Sequence, residues 1–290
     1  MKPAAFEYVR ADTIAEALKA LDHDDAKIIA GGQSLVPMMN FRLVQPERLV
    51  DVNGIIELAR IDERDSHLCI GALVRHAEAA ASDRVRSHFP IIGEAMHHVA
   101  HPAIRNRGTI AGSLVHADPA AEWPLLVTLL DGGIEILGPE GSRTVAAEDF
   151  FVAPLVVELE ESEMITGVTL PKLLSGHTGM AFDEFGQRAG DFAIAACGVV
   201  LTLADGLISD ARIALGGVAD TPVRARAAEQ ALIGQAPTAE MFDAAADAAR
   251  DGLEPNSDLH ASADYRLHLV RTLTGRMLKK ALDRAKEQAE

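Results

Sequence analysis

Cysteine is scarce in this chain: two residues in 290, Cys69 and Cys197. Two thiols cannot ligate a four-thiolate iron–sulfur cluster or a Cys-rich zinc site. Both sit in apolar settings, "HLCIGAL" and "IAACGVV". They read as free buried thiols of a reducing, cytoplasmic compartment. Aromatic residues are also few, at 4%, too few for an extended base-stacking platform. Basic residues are in deficit, 27 against 43 acidic, giving a formal net charge of −16. That excludes the electrostatic footprint of a general nucleic-acid binder. No apolar run reaches membrane-spanning length, and the start, "MKPAAFEYVR", has no apolar secretory core. The patterns G-x-G-x-x-G, G-x-x-x-x-G-K-[ST] and H-E-x-x-H are missing, which removes the common dinucleotide, P-loop and zinc-protease fingerprints. The nucleophile elbow G-x-S-x-G is missing too. What remains is a chain 48% hydrophobic, with no repeat or low-complexity block and room for two domains.

The first 55 or so residues read β-α-β-α-β. "AFEYVRA", "AKIIA" and "ERLVDV" are short apolar strands. "TIAEALKALDH" opens on Thr13-x-x-Glu16, a capping-box pattern. Pro37 is tolerated only in a first helical turn, so the second helix starts near Ser34. Beyond 58 the texture changes. "LARIDERDSHLCIGALV" reads as two strands about a polar turn, and "HAEAAASDRVRSHFPIIGEAMHHVA" as helix interrupted near Ser82-Asp83. The Gly- and Pro-rich run 101–124 is too irregular for one element. A helix ("LLVTLLDG"), a hairpin with a Gly-Pro-Glu-Gly turn and the strand "EMITGVTLPK" follow. A boundary is expected in "PKLLSGHTG", 171–179. Beyond it stand three strands with a turn at Ala204-Asp205-Gly206, then helices over 224–234, 237–251 and 263–287.

Two glycine-rich stretches carry the chemistry. "AGGQS" (30–34) joins a strand to a helix. Glycine admits a close ligand and positive φ, and successive N–H groups before a helix attract an anion without Lys or Arg. A purely steric strand–helix turn is the alternative. "RNRGTIAGSLVHADPAAEWP" (105–124) lies about 75 residues on and again joins small residues to polar donors. Two such stretches suit a dinucleotide held between two subdomains; two unrelated loops are the alternative.

Together these stretches resemble the FAD-binding medium subunit of the molybdenum hydroxylases, the carbon monoxide dehydrogenase and xanthine dehydrogenase class, over nearly the whole chain. The resemblance implies an α+β fold. Residues 1–175 would form an FAD-binding domain of the vanillyl-alcohol-oxidase-like (PCMH) type, with subdomains of about 1–55 and 56–175. Residues 176–290 would form a small C-terminal α+β domain, a three-stranded antiparallel sheet with helices. It also implies cofactor-binding residues. Ala30, Gly31, Gly32, Gln33, Ser34 and Leu35 wrap the FAD pyrophosphate, and Thr109, Ile110, Ala111, Gly112 and Ser113 close over it. Ala100 and Ile104 approach the flavin, and His116 lines the cavity. Glu122 meets ribose or ribityl hydroxyls, Ile165 lies against the cofactor, and Phe192 stands near the isoalloxazine. Gln33 stands where the carbon monoxide dehydrogenase branch often has His, Ala111 where Gly is common, and Phe192 where some relatives have Tyr. Ala111 is comfortable only at negative φ.

The resemblance implies partners as well: a large subunit with molybdopterin and a small subunit with two [2Fe–2S] clusters, assembled as a dimer of heterotrimers. This chain would take electrons from the clusters and pass them to an external acceptor. No residue reads as a catalytic acid or base, and no metal is expected here. The rivals are a stand-alone flavin oxidoreductase of the same fold and a non-redox assembly subunit. Three further features are set aside. His97, His98 and His101 read as packing rather than a metal site, and Ser113, His116 and Asp118 do not make a hydrolase triad. Arg105 and Arg107 read by default as surface or interface ion pairs.

Overall fold

The computed structural model describes residues 2–173 and 177–288. Its first unit runs β1 (Glu7–Arg10), α1 (Ile14–Leu21), β2 (Ala26–Ile29), α2 (Leu35–Asn40) and β3 (Arg48–Asp51), the expected alternation. β3 lies between β1 and β2, both pairings parallel. Thr13 caps α1 by accepting from Glu16 N at 3.2 Å, while Glu16 reaches back to Asp12 N at 2.9 Å. A parallel sheet exposes its loops at the carboxyl ends of its strands, and "AGGQS" is the loop after β2.

The second unit is a five-stranded antiparallel sheet of order β4-β5-β10-β6-β7, built from β4 (Ile61–Glu63), β5 (His67–Gly71), β6 (Gly133–Gly138), β7 (Gly141–Ala146) and β10 (Met164–Pro171). The small strands β8 (Phe151–Ala153) and β9 (Val156–Val157) pair apart from it. Between β5 and β6 come α3 (His76–Ala81), α4 (Asp83–His88), α5 (Pro90–His98), α6 (Pro102–Arg105), α7 (Ile110–His116) and α8 (Glu122–Leu129), and α9 (Ala147–Phe150) follows β7. The long helical stretch breaks at Ser82 as expected and again at Phe89–Pro90, where Pro90 opens α5 and needs no helical N–H. Every residue of α8 from Trp123 to Leu129 is buried. A helix apolar on all faces belongs at the centre of a core, and α8 packs on α5, α7 and three strands of the last unit.

That last unit carries β11 (His177–Phe185), β12 (Ala195–Ala204), β13 (Leu207–Gly216) and β14 (Val223–Arg224), then α10 (Arg226–Leu232), α11 (Ala239–Ala248) and α12 (Ala263–Glu287). The three expected strands form the antiparallel sheet, and β14 adds a two-residue edge. Asp205 (φ 51) and Gly206 (φ 77) make the tight turn, since two left-handed residues match the twist of a hairpin. The sheet is buried on both faces. Met180, Phe182, Ala196 and Val200 join the core around α8, while Ala181, Cys197, Val199 and Leu201 join the core under α10–α12. A Cβ on Gly179 would stand 2.7 Å from Ala285 N, so α12 lies on β11 with no room for a methyl. Residues 174–176, in the middle of the expected boundary, lie outside the described residues. Cys197 is buried and Cys69 is only half-buried; both are free.

Candidate functional site

Leaving β2, the chain turns through Ala30–Ser34 into α2, with Gly32 in the left-handed region at φ 70. Among the described residues, the backbone N–H groups of Gly32, Gln33, Ser34 and Leu35 donate to no backbone acceptor. Four consecutive unspent donors at a loop-to-helix turn form a concavity for an anion. The Gln33 side chain does not join them; its Nε2 turns back to Gly31 O at 2.8 Å. The Ser34 hydroxyl caps nothing and stays available.

Gly31 is bare for another reason. A Cβ there would sit 2.8 Å from the Arg107 carbonyl carbon and 2.9 Å from Gly108 Cα, nearer still to Arg107 O. The second loop lies directly on the first. Three of its amides are committed: Ile110 N to Val74 O at 3.1 Å, Ala111 N to Ala72 O at 3.2 Å, and Gly112 N to Thr109 Oγ1 at 3.1 Å. The two stretches therefore divide the work. The first offers a row of amides, and the second is mainly a wall. Ala111 is helical with no positive φ, which makes its methyl comfortable.

A polar clasp that the motifs do not announce joins the loops. Arg75, just before α3, donates Nη2 to Asn53 Oδ1 at 2.6 Å and Nη1 to Arg107 O. Asn53 Nδ2 donates to Ala30 O at 2.9 Å and to Asp51 Oδ1 at 2.6 Å. One guanidinium and one amide thus tie the backbone of loop 30–34 to that of loop 105–109. Both residues lie far in sequence from the loops they join, so only tertiary structure reveals them.

The loops open on a cavity of about 590 Å³ between the first two units, within the size range of small-molecule sites. All the residues expected to hold the cofactor line it except Ile110, whose side chain is fully buried in the core. Leu21, Ile28, Val52, Leu58 and Met164 supply apolar wall. Ile165 stands where the β10–β6 ladder slips register, between Ile165 and Gly167. Ala100 is left-handed (φ 39). Arg105 holds it, donating Nη1 to Val99 O at 2.8 Å and Ala100 O at 3.2 Å. That corrects the ion-pair expectation for Arg105. A Cβ on Gly190 would meet Ala100 O at 2.9 Å, so the last unit's 186–194 loop leans on the cavity rim. Phe192 on that loop is 65% exposed, free to meet a ligand's face. In the acidic run 158–163, Glu160, Glu161 and Glu163 line the cavity, and Arg143 pairs with Glu163 at 2.6 Å.

Two buried carboxyls mark the junction with the last unit. Burial pushes Glu122 up to about 7, with Asp118 adding to the rise. Burial, then Glu122 and Asp183, push Glu184 up to about 8. Glu184 Oε2 has no partner among the described residues. A neutral carboxyl at Glu122 can both donate to and accept from a ligand hydroxyl. The histidine cluster disperses. His98 packs edge-on to Phe182 and faces Glu184 at 3.6 Å, whereas His101 caps α6. Asp118 Oδ1 accepts from Ala120 N at 2.9 Å and lines a neighbouring cavity instead, so no triad assembles with Ser113 and His116.

Comparison with known proteins adds the following. The family model described as the FAD binding domain in molybdopterin dehydrogenase matches residues 4–173. That of the CO dehydrogenase flavoprotein C-terminal domain matches 180–281. The chain is 44% identical to the 6-hydroxypseudooxynicotine dehydrogenase complex subunit alpha of Paenarthrobacter nicotinovorans, over 100% of this chain and 99% of that protein. It is 42% identical to the nicotine 6-hydroxylase medium subunit of the same organism, over 97% and 99%. A chain of the carbon monoxide dehydrogenase of Hydrogenophaga pseudoflava, solved lacking the Mo-pyranopterin moiety, superposes with a TM-score of 0.95 at 40% identity, covering 98% of this chain and 99% of that one.

Proposed function

This chain belongs to the FAD-binding subunits of the molybdopterin dehydrogenases, and from that premise we propose that it is the electron-transfer subunit of a heteromeric molybdenum hydroxylase. It is an oxidoreductase subunit whose cofactor is FAD. In the proposed complex a large subunit carries molybdopterin and the substrate site, and a small subunit carries two [2Fe–2S] clusters. Two such heterotrimers pair in the cytoplasm. Relatives named as complex and medium subunits support the partnership. So does a chain with two cysteines, which cannot hold the clusters itself. We divide it into an FAD-binding domain of 1–175, with subdomains meeting near 55, and a C-terminal domain of 176–290.

The observation that carries the reading is the row of unspent amides at Gly32–Leu35 opening into an apolar cavity. These residues fit FAD. The amides and the Ser34 hydroxyl hold the pyrophosphate, and the apolar walls take the rings. Glu122 meets the ribityl or ribose hydroxyls, and Phe192 covers an exposed ring face. Bound FAD supplies the change between one- and two-electron transfer. The protein's part is to bind and orient it, to exclude water with Ile165, Leu58 and Met164, and to raise the Glu122 carboxyl to about 7, so that a large share of it is protonated at neutral pH.

The substrate is set elsewhere. Relatives at similar identity are named for nicotine and carbon monoxide, compounds with nothing in common that a shared flavin site reads.

The test uses the purified complex. Photoreducing its iron–sulfur clusters under anaerobic conditions bleaches the flavin absorbance, and stripping the small subunit abolishes the bleaching. Acid denaturation releases intact FAD. Flavin that stays attached, or bleaches equally without the small subunit, contradicts the proposal in favour of a stand-alone flavin oxidase.

A further inference from the structure

His76 opens α3, directly after the clasp residue Arg75. It is 6% exposed and lines the cavity. Its Nδ1 is 2.8 Å from Trp123 Nε1. An indole N–H only donates, so Nδ1 is the acceptor, and in a neutral ring the single proton sits on Nε2. Nε2 has no hydrogen-bond acceptor among the described residues, and the residue lines the cavity. The ring is also fixed in place. Its backbone N–H donates to Gly108 O at 3.1 Å, a Cβ on Gly108 would meet Nε2 at 2.6 Å, and the indole plane lies 27° from that of the imidazole, edge to edge with it.

The ring stays uncharged. Burial first, then Arg75 on its own helix and Arg105 on α6, lower its pKa to about 4. Glu122 on α8 and His116 on α7 also line the cavity. Trp123 itself is 1% exposed in the helix that anchors the whole core, so the indole cannot swing away.

We infer that His76 is a cofactor-binding residue, presenting an Nε2–H donor to an acceptor atom of FAD, and that Trp123 is a positioning residue that fixes this tautomer. The inference rests on the FAD reading and deepens it. A neutral donor suits an uncharged acceptor, a ring nitrogen or carbonyl or a sugar oxygen, more than a phosphate, which the amide row already serves. Sequence motifs do not point to His76, because its partner lies 47 residues away.

The test has two independent readouts on the full apo chain. The first is side-chain ¹⁵N NMR of histidine, where His76 is expected as the neutral Nε2–H tautomer at pH 6, and a mixture of tautomers is expected in Trp123→Phe. A proton on Nδ1, a charged ring at pH 6, or an unchanged tautomer in Trp123→Phe overturns the lock. The second is FAD affinity. His76→Phe is expected to raise the Kd about tenfold or more, the scale of one buried hydrogen bond. His76→Gln, which can still donate, should recover part of it. Apo thermal unfolding shows that the variants are folded. Wild-type affinity in a folded His76→Phe overturns the donor role. A wild-type chain that binds no FAD overturns that role together with the proposed function, while the NMR result then stands on its own.

Discussion

Gly31 and Arg107 touch across the two loops: a side chain on Gly31 has no space because the carbonyl of Arg107 fills it. The first glycine of "AGGQS" is therefore bare for the sake of the other loop. Gly32 is bare because of its left-handed backbone. The two substitutions should then fail differently. Gly32→Ala is expected to cost about 1 kcal/mol of backbone strain and to disturb the amide row. Gly31→Ala forces the loops apart, so it should raise the FAD Kd more and also lower the apo melting temperature. FAD titration and thermal unfolding of both variants check this. Gly31→Ala with wild-type behaviour in both would break the inter-loop account.

The clasp should behave as a unit. Arg75→Ala and Asn53→Ala each remove hydrogen bonds to loop carbonyls, for about 1 to 3 kcal/mol of lost FAD binding free energy. Because Arg75 donates to Asn53, the double variant should lose less than the sum. A double-mutant cycle on FAD affinity measures the coupling, and strict additivity would show that the two act separately.

The buried carboxyls at Glu122 and Glu184 predict a pH dependence. Both titrate higher in the folded protein, near 7 and 8, than the ordinary 4.5. The unfolded chain therefore ionises first. Their contribution to stability is intact below about pH 4.5 and is lost as pH rises through 7 to 8. Glu184→Gln should stabilise the apo chain at pH 8.5 relative to wild type and leave it nearly unchanged at pH 4.5. Denaturant unfolding at the two pH values reads the difference. Equal effects at both would show that Glu184 is ionised in the fold.

The last unit is pinned to the flavin-binding part through Glu94 on α5. That carboxylate accepts from Phe182 N at 3.1 Å and Lys280 Nζ at 3.4 Å, and it pairs with Arg284. Glu94→Ala leaves Phe182 N unpaired, and about 1 to 3 kcal/mol of stability is expected to go. Urea unfolding of the variant, compared with Lys280→Ala, checks that the half-buried part of this network matters more than its exposed member.

Much of this was legible in the sequence, for identifiable reasons. Ile28, Ile29, Leu49 and Val50 sit in short apolar runs bounded by turn residues, so the β-α-β-α-β unit could be read directly. The two glycine stretches pointed to the candidate site because close approach at Gly31 and Gly108, and a left-handed backbone at Gly32, restrict residue choice. Arg75, Asn53, His76 and Trp123 stayed hidden because each acts on a partner distant in sequence. Ile110 was grouped with its motif neighbours, yet at the first position of α7 its side chain turns into the core. Nothing in "TIAGS" announces that the Ile110 and Ala111 amides are already spent on Val74 and Ala72.

On the proposed function, the amides of Gly32–Leu35 grip the phosphate part of FAD. Calorimetric titration of the apo chain with FAD and with riboflavin tests it most directly. One FAD per chain is expected, with riboflavin, which lacks the phosphates, binding at least a hundredfold more weakly. Riboflavin binding as tightly as FAD would contradict the account.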